Sequence, residues 1–189
     1  KGQRDEVSGT LADSADRTRV LGKGEWGIGD ELELGVGQGF MAVSPLQMAL
    51  VASEIANGGY HLQPHIVRSI KKSDGSVLLT NPKKNEIEWV EERDLEIVKK
   101  GMRRVVTDGS GRYYADLDSI KVAGKTGTAQ NPHGQDHGWF ISFCHMYDPK
   151  IAIAVVVEPG GYTSISAAPI PSLFFDPSFP GEVPLSYVY

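Results

Sequence analysis

Apolar residues fall along this chain in distinct patterns, and each pattern predicts a different element. From Leu46 to Ala56 nearly every position is apolar: Leu46, Met48, Ala49, Leu50, Val51, Ala52, Ile55 and Ala56. Ser44 stands where an N-cap belongs, Pro45 takes the first helical position, and Gln47 completes a capping box. Gly58-Gly59 supplies the stop. A helix this apolar on all sides should be buried in a larger domain. Leu95, Val98, Met102, Val105 and Val106 instead recur at helical spacing between charged neighbours, which predicts an amphipathic helix from about Glu92 to Val106. Glu91, Glu92 and Asp94, with Arg93 among them, then lie at the positive end of its dipole. Thr107 to Gly111 ends it.

The remaining apolar runs have the length of strands. His65–Ile70 and Ser76–Thr80 flank Asp74-Gly75, a hairpin signal. Ile120, Val122 and Ala123 lead into Lys125-Thr126-Gly127-Thr128-Ala129. A polar turn, Asn131 to Asp136, follows, and then His137–Phe143, able to pair back antiparallel. After Asp148-Pro149 the run Ile151–Val157 is apolar at every position, so helices should cover both faces of its sheet. The fold class expected is α/β in the broad sense, more narrowly α+β: an antiparallel sheet with helices on both faces. Residues 1–33 are polar and Gly-rich and read as mostly loop, 34–169 as the core, and 170–189 as a Pro-rich strap. In that strap Pro171, Pro177, Pro180 and Pro184 leave room for only a short turn of helix.

Composition narrows the classes. At 189 residues, 40% apolar and 23% charged, the chain suits one domain with a sizeable core. A net charge of -5 lacks the basic stripe expected of a nucleic-acid partner. Cys144 is the sole cysteine, so no intrachain disulfide and no Cys-rich zinc site is available. No apolar run has the length of a membrane span.

The candidate chemistry centres on Lys125-Thr126-Gly127. Such a triplet alone would turn up in roughly one chain in ten of this length, so its setting matters. Four further blocks sit in order around it: Leu34–Gly39, Ser44–Ala49, Ile55–Gly59 and His137–Phe140. With them the chain resembles the C-terminal part of the class B penicillin-binding proteins, and most of all their elongation-type branch, penicillin-binding protein 2. The resemblance runs from about Gly29 to about Pro169. It implies part of a β-lactamase/transpeptidase-like fold, and a serine D,D-transpeptidase that cross-links peptidoglycan through an acyl-enzyme and binds penicillin. Its substrate ends in a carboxylate, which an ammonium and a hydroxyl side by side can hold. By resemblance Thr126 supplies the hydroxyl, and Lys125 adds positive field and bridges to the proton relay. Gly127 leaves room for peptide backbone to lie along the strand, and the Thr128 N–H is one oxyanion donor. The resemblance also implies peptidoglycan stem peptides, β-lactam antibiotics and cell-elongation membrane proteins as partners. It implies no cofactor or metal, and a site of action on the periplasmic side of the inner membrane, held by an N-terminal span outside this sequence.

The nucleophile motif Ser-x-x-Lys has one match, Ser69-Ile70-Lys71-Lys72. It is rejected, because strand positions three apart point to opposite faces and no apolar helix surrounds the lysine. Ser-x-Asn has none. The expectation is that nucleophile and relay lie upstream and that this piece alone is inactive. Gly35-x-Gly37-x-Gly39 has Phe40 where a dinucleotide loop needs glycine, and reads as tight backbone packing beside the site. His133, Asp136 and His137 lie at a turn without a third ligand set. His61, His65 and His145 read as ordinary strand or loop residues. Trp139 or Phe140 could line the groove, one of the two facing the core, and Tyr113 and Tyr114 could flank it. Two alternatives stay open: a D,D-carboxypeptidase or β-lactamase of the same fold, in which water resolves the acyl-enzyme, and a non-catalytic β-lactam sensor or docking module. Uncovered apolar surface would favour self-association of the piece.

Overall fold

The computed structural model describes residues 26–79, 83–112, 115–117 and 120–175, with positions 9, 10, 13, 15 and 18. Its centre is an antiparallel sheet of β5 (Val122–Ala129), β6 (His137–Cys144) and β7 (Ile151–Val157), in the order β5-β6-β7. Before it come α1 (Ile28–Gly35), α2 (Pro45–Ala56), β1 (Tyr60–Leu62), β2 (Ser69–Lys71), β3 (Val77–Leu79), β4 (Lys84–Glu86) and α3 (Glu92–Thr107). After it come α4 (Thr163–Ser166) and α5 (Ile170–Phe175).

Register fixes which side chains share a face. Val122 pairs with Cys144, Thr126 with Phe140, and Phe140 with Val155. Val122, Phe140 and Cys144 therefore point to one side, where Val106, Ile120, Ala167, Ala168 and Phe175 close over them. Ala123, Ile141, Phe143 and Ala154 point to the other, against Ala52 and Ala56 of α2 and Met102 of α3. Helices thus cover both faces, as the apolar run of β7 requires. Phe140 and Phe143 are fully buried, each worth roughly 1.5–3 kcal/mol of apolar transfer.

The helix α2 starts where its cap places it. In α2 the Gln47 N–H donates to Ser44 Oγ at 3.3 Å and the Ser44 N–H to Gln47 Oε1 at 2.8 Å. In α3 the stripe Leu95, Met102 and Val106 is buried. Arg103 Nη1 donates to the Val122 carbonyl at 2.8 Å and pairs with Asp116 at 3.0 Å, fastening α3 to the start of β5.

Four readings need correction. Ile28–Gly35, placed largely in the loop-rich stretch, is a helix. The Gly27 N–H donates to Asp30 Oδ2 at 2.8 Å, and Asp30 and Glu31 occupy the first turn. No residue of this helix is buried, so no apolar face announced it. The helix α2 is less covered than its composition suggested: Ala52 and Ala56 are buried, whereas Leu46 and Val51 stay exposed. At the other end the short turn of helix allowed within the strap is Ile170–Phe175, and it belongs to the core, with Pro171 and Phe175 buried. Proline is tolerated there because the first turn of a helix has no partner for its N–H groups. The hairpin around Asp74-Gly75 is real but short and wholly exposed, pairing only Ser69–Lys71 with Val77–Leu79. A further antiparallel pair joins β1 to β4. Thr80, Tyr113, Tyr114 and the strap beyond residue 175 lie outside the described residues.

Candidate active site along the free edge of β5

Among the described residues β5 has a neighbouring strand on one side only. In an antiparallel ladder a residue's N–H and C=O point the same way, and successive residues alternate. Three carbonyls of β5 at even-numbered positions meet side-chain donors, two of them from elsewhere in the chain. Arg103 reaches Val122, Lys125 Nζ lies 2.6 Å from the Thr126 oxygen, and Gln38 Nε2 lies 3.0 Å from the Thr128 oxygen. Positions 122, 126 and 128 share one parity, so the Thr128 N–H faces the same open edge.

The side chains of the triplet divide between the two faces. Thr126 and Thr128 lie on the Val122 face. There Ser110 Oγ, just past α3, is 2.7 Å from Thr126 Oγ1, and Thr163 Oγ1 on α4 is 3.1 Å from Thr128 Oγ1. Thr163 Oγ1 also donates to the Gly127 carbonyl. Ser110, Thr126, Gly127, Thr128, Tyr162 and Thr163 line a shallow cavity of about 190 Å³. Lys125 leaves from the opposite face, is exposed, and bends round the edge to place its ammonium on the Thr126 carbonyl. It does not line that cavity. Cation, hydroxyl and N–H thus meet at the edge rather than on one face. Gly127 is exposed beside Trp139, and Phe140 is fully buried.

A wider groove, about 700 Å³, borders the chain as it leaves β5, between Gln130, Asn131, Pro132 and Asp136 on one side and Glu33, Val36, Gln38 and Gly39 on the other. The polar groups of the β5–β6 turn hold the turn itself. The Asn131 N–H donates to Asp136 Oδ1 at 3.2 Å and the His133 N–H to Asn131 Oδ1 at 3.0 Å. Ser69 and Lys72 of the rejected Ser-x-x-Lys match sit on the exposed hairpin, Ser69 opening β2 and Lys72 at its turn.

The sequence matches the penicillin binding protein transpeptidase domain over residues 11–174. The chain belongs to that family. Peptidoglycan D,D-transpeptidase MrdA of Haemophilus influenzae is 33% identical over 172 residues, 78% of this chain and 25% of that protein. Among solved structures, Pseudomonas aeruginosa PBP2 in complex with WCK 5153 matches 95% of this chain and 40% of its own at 31% identity, with a TM-score of 0.75. The imipenem acyl-enzyme complex of penicillin-binding protein A from M. tuberculosis matches 74% and 31% at 30% identity, with a TM-score of 0.63. PBP2 in its complex with MreC from Helicobacter pylori shares the fold at 24% identity, over 88% and 30%, with a TM-score of 0.73. The chain spans about a quarter of the length of the curated relatives it matches. The expected fold, part of a transpeptidase domain, is the one observed.

No motif marks Ser110 or Thr163, and Gln38 falls within the Leu34–Gly39 block with no role of its own there. Ser110 and Thr163 reach the triplet through tertiary contacts alone. Gln38 carried a faint mark, since glycines flank it on both sides.

Proposed function

We propose that this chain supplies the substrate-binding edge of a serine D,D-transpeptidase that cross-links peptidoglycan through an acyl-enzyme and is acylated by penicillin. What carries the reading is the open edge of β5, where the Thr128 N–H, the Lys125 ammonium and the Thr126 hydroxyl come within reach of one extended ligand. A peptide adding to this edge as a further strand sets its terminal carboxylate against Thr126 and Lys125. The carboxylate, a full charge, outcompetes the neutral Thr126 carbonyl for the ammonium. The backbone of the peptide passes over Gly127, where no side chain intervenes. The Thr128 N–H then faces the carbonyl oxygen that becomes an oxyanion, and one such donor is worth about 3 kcal/mol in the transition state.

On this reading the serine nucleophile and its lysine belong to sequence outside these 189 residues, because the sole Ser-x-x-Lys match lies on an exposed hairpin. The full-length protein works on the periplasmic side of the inner membrane, held there by a preceding span. Among the described residues no helix is long and apolar enough to cross a membrane. Elongation proteins of the membrane are its partners, a reading supported by the MreC complex of the Helicobacter pylori relative.

The test is covalent labelling followed by peptide mass spectrometry. The full-length polypeptide should gain one penicilloyl group on a serine outside this chain, and the 189-residue chain alone should gain none. A stoichiometric adduct on Ser69, or no adduct on the full-length protein, would overturn the proposal.

A further inference from the structure

The carbonyl that an added strand would need is already occupied. Gln38 Nε2 donates to the Thr128 oxygen across 90 positions of sequence. Its backbone is held in place at the C-terminal end of α1. The Gly37 N–H donates to the Leu34 carbonyl and the Gln38 N–H to the Glu33 carbonyl at 2.9 Å. Gly37 and Gly39, at φ +75° and +73°, supply the left-handed turns on either side. At Gly39 a Cβ would come within 3.2 Å of Glu33 Cβ, so the loop lies close against the helix. The side chain itself spans open space at the lip of the wider groove, which Gln38 helps to line.

An edge strand exposes unpaired N–H and C=O groups that pair readily with another chain, and proteins cover such edges. Here the N–H and C=O of Thr128 face outward together. An antiparallel ligand satisfies such a pair with the C=O and N–H of one residue. The acceptor beside the oxyanion donor is therefore filled.

We propose that Gln38 is a removable cap on the substrate edge: its side-chain amide stands in for the N–H of the incoming acyl donor and must swing away before the ligand can pair with Thr128. This rests on the transpeptidase reading above and adds a specificity consequence. Ligands that bring an N–H next to the reacting carbonyl compete with Gln38, and ligands without one do not. Penicillin G carries an amide N–H on the carbon beside its β-lactam carbonyl, as a peptide does, whereas imipenem has a hydroxyethyl group there.

The experiment measures second-order acylation rates of the full-length protein by these two antibiotics, in the wild type and in Gln38→Ala and Gln38→Met. The methionine keeps the length of the side chain and removes the donor. Freeing one solvent-exposed hydrogen bond should raise the penicillin G rate about two- to tenfold in both variants, while the imipenem rate changes less than about twofold. Equal gains for both antibiotics would make Gln38 a steric obstacle only. Losses for both would make it a support for β5. No change in either rate would leave it without a role at the edge. Each of these three results overturns the cap. Failure of the wild type to be acylated by either antibiotic would instead refute the transpeptidase reading itself.

Discussion

Two glycines of β5, three residues apart, should respond to the same added methyl group in opposite ways. A Cβ at Gly124 would lie 2.4 Å from Cζ and 3.1 Å from Cε1 of Phe140, and 2.9 Å from the Ile141 carbonyl. Carbon atoms sit comfortably at about 3.5–4.0 Å, so the shortest contact is more than about 1 Å too close. Phe140 is fully buried, and the Ile141 carbonyl is backbone. Neither can yield without displacing the ladder. Overpacking of this kind costs about 1–3 kcal/mol, which for a domain of this size lowers Tm by about 2–12 °C. At Gly127 the nearest atom to the added Cβ is Trp139 Cβ at 3.4 Å, an ordinary contact. Alanine there even gains about 0.4–1 kcal/mol through the unfolded chain. Thermal melts followed by circular dichroism, paired with penicillin acylation rates in the full-length protein, separate the two effects. Gly124→Ala should melt early. Gly127→Ala should melt at or slightly above the wild type yet acylate about tenfold more slowly or worse, a rise of at least about 1.4 kcal/mol in the barrier, because its methyl group stands where the ligand backbone passes. Early melting of Gly127→Ala, or wild-type acylation by it, would refute the assignment of this surface to the ligand.

Two further outcomes follow from the same geometry. Lys125→Ala in the full-length protein should keep the wild-type Tm, since the side chain is exposed and, among the described residues, bonds to a neighbouring carbonyl alone, while slowing penicillin acylation by about two orders of magnitude or more, on the scale of one electrostatic contact in the transition state; unchanged acylation would remove Lys125 from the site. Burial pushes the Cys144 thiol above its ordinary value. The folded chain therefore holds that proton more tightly than the unfolded chain, so the associated stability is fully present below about pH 8.5 and declines as pH rises through the ordinary thiol range towards the folded value. Urea midpoints from pH 7 to 10 should fall less steeply in Cys144→Ala than in the wild type, and parallel slopes would contradict this.

What could be read from the sequence was whatever local chemistry decides. Ser44, Pro45 and Gln47 announce the start of α2 because a cap is a contact between residues three apart. The stripe from Leu95 to Val106 gives α3, and Asp74-Gly75 gives the hairpin. The meander was visible because consecutive strands pair across short turns. What stayed hidden depends on distance or on missing pattern. The exposed residues of α1 form no apolar face. Tyr60–Leu62 and Lys84–Glu86 pair across more than twenty residues with three positions each. The α5 helix contains proline, which argues against a helix unless the proline falls in the first turn. The triplet itself was legible, and strand alternation already divides Lys125 from Thr126, but the bend that carries the ammonium round the edge to the Thr126 carbonyl is a feature of the folded chain alone. Ser110, Thr163 and Gln38 are brought to the triplet by folding alone.

The most direct measurement is a crystal structure of the full-length protein acylated by penicillin G. The antibiotic should lie along β5, with its carboxylate within hydrogen-bonding distance of Thr126 Oγ1 and Lys125 Nζ and the acyl oxygen against the Thr128 N–H. An acyl group attached elsewhere, with the edge of β5 still open and Lys125 resting on the Thr126 carbonyl, would contradict this.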